Sequence, residues 1–409
     1  MKRIITYTLF LLLSIQFSGF AQISILEAYK EEGVDRNKEF LSHQMLHHAF
    51  LEKEMQFSRL SDLQLSAGFA LSPIETRLGA QTMQFGATQR FPWFGTLKAK
   101  LSLFEAENEV HNELLRLMGS NLVHRIEKSW FQLYEIRLNK VVLSEKIQLI
   151  KMIESLTREQ IKTNSDFSLI DLIEIQINRE AWENNLADLI DAEEMNQYAF
   201  NTLLSKDLNS NVKTVDSLLE LLNFSPNTEG QVIAINRQNL KVRAAEESIS
   251  LIKRTTKPSW TVGFKYFIVD ERPTDLVDNG KDAYMFNIGL NIPFQLKQNE
   301  HAVMEATHKW HSEGITLEQV KEEYDFILAK IELAIKKQNR DFNLHSSQKV
   351  KVDQTISLLL KEYAHGKGVY EKLLRAMELS LDQERKRISA VVQQRIQISY
   401  YHSLFEMDK

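Results

Sequence analysis

Histidines one helical turn apart are the side chains in this sequence whose spacing is best suited to chemistry. His43 and His47 stand four residues apart beside His48, and His308 and His311 stand three apart. Two imidazoles on one helical face can hold a metal ion when further ligands complete the set. No carboxylate–histidine motif completes either pair, so we predict solvated helix faces and no metal site.

Carboxylates are numerous between residues 96 and 200, in runs such as "EAENE" and "DAEEMN". Their spacing suits ion pairs between successive helical turns better than acid–base catalysis. The sequence contains no cysteine, no glycine-rich phosphate loop and no nucleophile elbow. We therefore predict a protein that is not an enzyme and needs no cofactor.

The overall charge excludes one class of partner. The 409 residues include 50 Lys and Arg against 55 Asp and Glu, which gives a net charge of −5. Proteins that bind nucleic acid concentrate positive charge on one face, so no nucleic acid partner is expected. A mean hydropathy of −0.30 likewise excludes a bundle of apolar transmembrane helices.

The first residues have the pattern of a secretory signal peptide. Lys2 and Arg3 precede the apolar run "IITYTLFLLLSI", and "SGFAQ" supplies the small residues of a cleavage site. The apolar run is short for a transmembrane anchor, which is the alternative. We predict a signal peptide over residues 1–21 and export of the mature chain.

Four segments alternate apolar and polar residues, as β-strands with one apolar face do. Each has roughly the 9–11 residues that a tilted strand needs to cross a bilayer. Strands of a soluble sandwich are the alternative, but four strands among long helices make a poor sandwich. The loop "SPIETRLGA", with Pro73, is predicted to end the first strand. The predicted strands are residues 63–71, 81–91, 260–269 and 284–294.

Helices account for most of the remaining sequence. Residues 96–160 and 297–362 contain no proline and repeat apolar residues at intervals of three and four, which predicts coiled-coil seams. A helix of about 65 residues is about 100 Å long, too long for a compact globule. Shorter helices are predicted over about residues 24–60, 168–206, 229–257 and 369–405.

The two halves of the chain repeat one pattern. The number of residues that separates Pro92 from Pro293 also separates Phe85 from Phe286 and Trp130 from Ile331. A fixed interval indicates a duplicated unit of helix, two strands, long helix, turn and helix. The predicted organisation is a first repeat at 22–206, a linker at 207–228 and a second repeat at 229–409.

Four strands cannot close a membrane barrel by themselves. Each open edge would leave backbone groups in lipid without hydrogen-bond partners, at several kcal/mol each. The chain must therefore oligomerise if its strands span a membrane. The residue pattern alone does not choose between a dimer and a trimer.

Four motifs resemble the outer membrane efflux protein family, the TolC-like channels. They are "QRFPWFGTLKAK", the matching "NIPFQLKQNEHA", "KPSWTVGFKY" and "EYAHGKGVYEKLLRA". The last contains the Tyr-x-x-Gly turn of that family, at Tyr363 and Gly366. The resemblance covers nearly the whole mature chain and rests on the order and spacing of motifs that are weak singly.

The resemblance implies a mainly α chain with a membrane β-barrel part. Three copies would form a homotrimer with a twelve-stranded barrel in the lipid of a Gram-negative outer membrane and a long α-helical tunnel in the periplasm. The helix tips would contact a periplasmic adaptor and an inner-membrane pump. The residues expected at the tips are Asn164, Ser165, Tyr363, Gly366 and Gly368.

One position departs from the family pattern. Related channels narrow the tunnel with aspartates shortly after the tip glycine, whereas this sequence has Lys372 and Arg375 there. The first repeat keeps Asp171 and Glu174. The resemblance therefore implies a constriction lined by basic residues. Solvated charges on the outer face, or partners of acidic residues, are the alternative.

Aromatic residues surround the point where the second strand passes into the first long helix. Aromatics at the end of a lipid-facing strand prefer the boundary between lipid and water, although a place in the core is the alternative. The predicted interface girdle and hinge consist of Phe91, Pro92, Trp93, Phe94, Gly95, Pro293 and Phe294.

Together these features predict the outer membrane channel of a tripartite efflux or secretion system that conducts its cargo passively. A periplasmic coiled-coil adaptor or scaffold without a barrel is one alternative. A channel dedicated to divalent metal ions is another. The sequence does not identify the cargo.

Overall fold

The computed structural model describes residues 25–57, 59–163, 169–217, 219–226, 230–273, 277–294, 296–365 and 370–405. The predicted signal peptide lies outside these residues. The helices are α1 (25–36), α2 (Lys38–Leu51), α3 (Lys53–Phe57), α4 (Thr96–Thr163), α5 (Leu169–Leu203), α6 (Ile233–Thr255), α7 (Leu296–Ala364) and α8 (Tyr370–Leu404). The strands are β1 (Gln64–Thr76), β2 (Gly79–Phe91), β3 (Ser259–Asp270) and β4 (Ala283–Asn291).

The strands form one antiparallel sheet in the order β1-β2-β3-β4. Strand β1 continues five residues beyond the predicted end at Leu71, so the prediction of a loop at Pro73 is wrong. The register shifts between Phe69 and Ile74. This bulge, on an edge strand, accommodates a proline that has no N–H to donate. Strand β4 ends at Asn291, before Pro293, and is shorter than predicted.

The tips of the two hairpins are tied together. Gly79 has φ +136°, and a Cβ atom there would lie 1.8 Å from the carbonyl oxygen of Asp270. Only glycine fits at this approach of one hairpin to the other. The N–H of Gly280 also donates to the Leu78 carbonyl oxygen at 2.7 Å.

One face of the sheet is apolar and exposed. The register places Leu65, Ala87, Phe264 and Phe286 side by side across the four strands. Phe286 is 80% exposed and Leu71 is 94% exposed. The opposite face carries mainly polar and small residues, among them Gln84, Gly86, Thr88, Thr261, Gly263 and Asn287. Alternation thus separates the two faces as the sequence predicted.

Both outer strands have a free edge. Within the described residues, β1 pairs only with β2 and β4 pairs only with β3. Each edge therefore presents backbone N–H and C=O groups that no other described strand bonds.

The described residues group into two compact units. The first takes in the chain up to His43, Leu115–Ile233 and the chain from Glu323, and the second takes in Gln44–Leu114 and Ala234–Glu322. Each unit contains segments from both halves of the sequence. The sheet lies in the second unit.

The predicted helical seams form the core of the first unit. Ile126, Trp130 and Leu133 are at most 2% exposed, and they pack with Phe200 and Val392. Ile331 is also buried, against Tyr401 and Leu404 among others. Burial of these four positions agrees with the predicted spacing, and Tyr324 and Ile327 of the second seam pack against the same cluster while partly buried. None of the helices in the described part of the chain is both long and apolar enough to cross a membrane.

Polar groups from α4 and α8 anchor the linking segment, residues 207–226. The Trp130 indole donates to the Lys213 carbonyl at 3.0 Å. The Tyr134 hydroxyl donates to the Ser217 carbonyl and accepts the Leu219 N–H, both at 2.8 Å. Partly buried hydrogen bonds of this kind hold a segment whose described residues form no helix or strand.

Replacing Tyr134 by phenylalanine should release this segment. The substitution removes both hydrogen bonds and leaves the Leu219 N–H without its partner, so we expect a loss of about 2 kcal/mol in the free energy of unfolding. Guanidinium unfolding measures it. Tyr324→Phe is the matched control, because the Tyr324 hydroxyl makes no hydrogen bond to any other described residue. An equal loss in both variants would contradict the assignment.

The stability difference between the wild type and Tyr134→Phe should depend on pH. Burial raises the pKa of Tyr134 to about 12 from 10.0. Because the pKa is raised in the folded state, the Tyr134 hydroxyl makes its full contribution to the free energy of unfolding below pH 10.0. That contribution is lost as the pH rises to about 12. The stability advantage of the wild type over Tyr134→Phe should shrink across that window.

Candidate functional site

The hinge between β2 and α4 consists of residues 92–95. Pro92 follows the last residue of β2 and cannot donate to a further ladder bond. Gly95 has φ +78°, which turns the chain into the helix. The Thr96 N–H donates to the Trp93 carbonyl at 3.0 Å and the Ala99 N–H donates to the Gly95 carbonyl at 2.9 Å. These bonds begin α4 directly after the turn.

Two of the four aromatic residues at the hinges are exposed, and the other two are half-buried. Trp93 stacks on Trp260 of β3, with ring centroids 6.2 Å apart and planes 11° from parallel. Phe94 is 74% exposed, and Phe294, after β4, is 87% exposed. Phe91 is half-buried. Phe94 and Phe294 are therefore not core residues in this chain, as a girdle at an apolar boundary requires.

The second hinge, after β4, differs from the first. Pro293 is half-buried and follows Ile292, which is exposed. "FQLK" replaces "FGTLK" there, so the turn lacks the glycine of the first hinge.

Tyr363, at the end of α7, is buried rather than exposed. Its hydroxyl lies 2.6 Å from Thr157 Oγ1, and Gln160 donates to its carbonyl oxygen at 2.9 Å. Burial raises the pKa of Tyr363. The side chain thus links α4 to α7 and holds the helix ends together. The other predicted tip residues, Asn164, Ser165, Gly366 and Gly368, lie outside the described residues.

The four charged residues predicted at the constriction lie on α5 and α8. Glu174, Lys372 and Arg375 are exposed, and Asp171 is partly exposed. The Arg375 guanidinium pairs with Glu371 at 2.6 Å. No ion pair of Lys372 is found among the described residues. Arg375 therefore has an acidic partner, one of the alternatives, while Lys372 remains a candidate source of positive charge.

The helices that carry these charges lie side by side. Ile175 of α5 belongs to the same buried cluster as Tyr370 and Leu373 of α8. Burial raises the pKa of Tyr370, and the carboxylate of Glu174 contributes to that shift. The acidic and basic candidates are thus on neighbouring helices, an arrangement that the sequence interval alone did not reveal.

The histidine pairs find few additional ligands. The ring of His47 lies 6.3 Å from His48 and 6.4 Å from His111, between centroids. In the described part of the chain, no group of three or more His, Asp or Glu residues is arranged to hold a metal ion. The approach of His47 to His111 is a tertiary contact that the local spacing of histidines did not predict.

Comparison with solved structures decides the fold. The outer membrane protein VceC of Vibrio cholerae superposes with a TM-score of 0.76 at 14% identity, over 93% of this chain and 96% of that one. The CmeC outer membrane channel of Campylobacter jejuni gives 0.75 at 13% identity, over 94% and 87%. The chain has the TolC-like outer membrane channel fold. The open MtrE channel of Neisseria gonorrhoeae agrees, with 0.76 at 14% identity over 93% and 88%.

The TolC-like fold confirms the predicted fold class, long helices with a four-stranded antiparallel sheet. It also confirms the resemblance stated from the four sequence motifs. No family model and no curated protein matches the sequence. At 13–15% identity the likeness to VceC, CmeC and their relatives establishes the fold alone.

Replacing Gly95 by alanine tests the hinge of this TolC-like chain. A side chain in the left-handed region costs about 1–2 kcal/mol, and the new Cβ would lie 3.3 Å from Arg254 Nη1. We expect destabilisation by that amount in thermal unfolding. Gly289→Ala is the control, because its Cβ would meet only Thr261 Cβ, at an ordinary 3.7 Å. If Gly95→Ala were as stable as Gly289→Ala, the turn would not require glycine.

Proposed function

We propose that the chain is the outer membrane channel of a tripartite efflux or secretion system in a Gram-negative bacterium. The observation that carries the proposal is the sheet, which exposes an apolar face and leaves both edges unpaired. An apolar face of this kind suits contact with lipid, and unpaired edges suit closure by further copies.

Closure would join β4 of one copy to β1 of the next. Both edges belong to an antiparallel sheet of four strands, so the alternation of direction continues across the new pair. Two copies would give eight strands, whose interior side chains fill, whereas three give twelve strands and a wider interior. A conduit therefore favours the trimer, and the TolC-like fold supports it.

The polar face of the sheet would then line the interior of the barrel. Small and uncharged side chains such as Gly86, Thr88 and Gly263 lie on that face, together with the cations Arg90 and Lys265. The small residues leave room for water to pass. Such a wall conducts passively, and the energy for transport comes from an inner-membrane pump that a periplasmic adaptor joins to the helix ends.

The periplasmic adaptor or scaffold without a barrel accounts for the long helices but not for the sheet. A water-exposed face that includes Leu71, Phe286 and Ile288 at 94%, 80% and 74% exposure would favour aggregation of a soluble protein. No observation on the described residues favours a channel dedicated to metal ions.

Engineered cysteines test the closure, because the chain has no cysteine of its own. Ser66→Cys on β1 would be combined with Met285→Cys, Asn287→Cys or Gly289→Cys on β4, all on one face of the sheet. We expect one combination to give covalent trimers in membranes washed with carbonate, because β1 and β4 of adjacent copies lie side by side.

Ser66→Cys with Thr261→Cys is the control, since β3 would not adjoin β1 within or between copies. Covalent dimers without trimers would contradict the proposed stoichiometry. Release of the protein by carbonate alone would favour the adaptor and contradict the channel.

Single-channel recording in planar bilayers tests both conduction and the constriction. If Lys372 faces the conduit, Lys372→Gln and Lys372→Asp should shift the reversal potential in a salt gradient stepwise toward cations, since like charges around the axis attract counter-ions. A conducting channel whose selectivity is unchanged in both variants would place Lys372 outside the conduit. Absence of any conductance would contradict the channel itself.

A further inference from the structure

An apolar groove runs beside the hinge between β2 and α4. It has a volume of about 590 Å³, and its wall includes Phe91, Trp93, Phe94, Trp260, Val262 and Ile288. Val262 and Ile288 also belong to the exposed apolar face of the sheet, at 42% and 74% exposure. The groove is therefore continuous with the surface that faces lipid in the proposed channel.

A basic pocket adjoins this groove. Its volume is about 770 Å³, and it shares Pro92 and Trp93 with the groove. No aspartate or glutamate lines it. Such a concentration of one sign of charge attracts an anion. The basic residues of its wall are Arg59, Arg90, Lys100, Arg254 and Lys257.

Much of this positive charge lacks an acidic counterpart. Within the described residues, Arg59, Arg254 and Lys257 form no ion pair. Arg90 donates to the Ser259 hydroxyl at 3.0 Å, and Arg254 donates to the Phe94 carbonyl at 3.3 Å. The Arg254 bond holds a guanidinium at the wall of the basic pocket, next to Phe94 of the groove, with further N–H groups to donate.

The wall of the groove also holds a donor without an acceptor. The indole Nε1–H of Trp260 is buried and makes no hydrogen bond to any described residue. A buried donor of this kind normally has a partner. A ligand that brings an oxygen acceptor to the edge of an apolar groove would supply one.

We propose that the groove and the basic pocket together bind one phospholipid molecule per chain. An acyl chain lies in the groove, and the phosphate contacts the cations of the pocket, chiefly Arg59, Arg254 and Lys257. Free phosphate would need only the pocket and a hydrocarbon only the groove, so the pairing of the two indicates an anionic amphiphile. The inference rests on the proposed function, which puts the hinge at the periplasmic leaflet.

Native mass spectrometry of the full-length channel in detergent tests the site, with dioleoylphosphatidylglycerol as the probe. We expect saturable binding of one lipid per chain. Dioleoylglycerol, which lacks the phosphate, should bind at least about tenfold more weakly, because charge-assisted hydrogen bonds to the phosphate are lost. Inorganic phosphate at millimolar concentration should not displace the lipid.

The double variant Arg59→Gln/Lys257→Gln removes two cations and leaves the bonds of Arg90 and Arg254 in place. Each lost cation should weaken lipid binding about fivefold. Arg243→Gln is the matched control, because Arg243 is a cation of α6 that pairs with Glu109 away from both cavities. Phe94→Ala, at an exposed position, should weaken binding of the lipid through the groove alone.

Equal affinity of the wild type and the double variant would overturn the inference, as would equal binding of the two lipids. Displacement by inorganic phosphate would show that the pocket binds an anion rather than a lipid. A channel that conducts but binds no lipid overturns this inference alone. A chain that binds the lipid but never conducts overturns the channel function alone.

Discussion

The hydrogen bonds of the backbone are the constraint on which this structure depends. In lipid, every N–H and C=O group of a strand needs a partner, because no water is present to supply one. The sheet satisfies this between β1 and β2, between β2 and β3, and between β3 and β4, but not at its two outer edges. The described residues satisfy neither edge, so a barrel built on this sheet would need strands from further copies.

The need for a partner at every backbone N–H and C=O group also explains the hinge. A strand that leaves the sheet must exchange ladder bonds for helical bonds within a few residues. Pro92 removes one donor at that point, Gly95 turns the chain, and the N–H groups of Thr96 and Ala99 find carbonyls at once. Only residues 92 and 93 separate the last strand residue from the turn, which leaves few backbone groups between the sheet and the helix in need of another partner.

Much of the architecture follows from short-range patterns in the sequence. Alternation located all four strands, and intervals of three and four located Ile126, Trp130 and Leu133 in a core, because burial imposes the period of each element. Local rules failed where tertiary context decided. Pro73 was expected to end β1, but a bulge on an edge strand accommodates it.

The candidate site was less predictable than the fold. The sequence motif placed Tyr363 in a turn at the helix tips, but the structure buries its side chain. Its hydroxyl contacts Thr157 of α4, and Gln160 of the same helix donates to its carbonyl oxygen. Arg375 and Lys372 look equivalent in the sequence, and only the pairing with Glu371 distinguishes them. The basic pocket draws its cations from four separate segments, so no window of sequence displays it.

The junction of the two hairpin tips bears on how such a chain can change over generations. Gly79 lies against the Asp270 carbonyl, and Leu78 accepts the Gly280 N–H. An added residue in the first turn would push the chain at Gly79 into the Asp270 carbonyl of the other hairpin. The length of the first turn should therefore stay constant between variants of this chain, because any insertion there would separate the two tips.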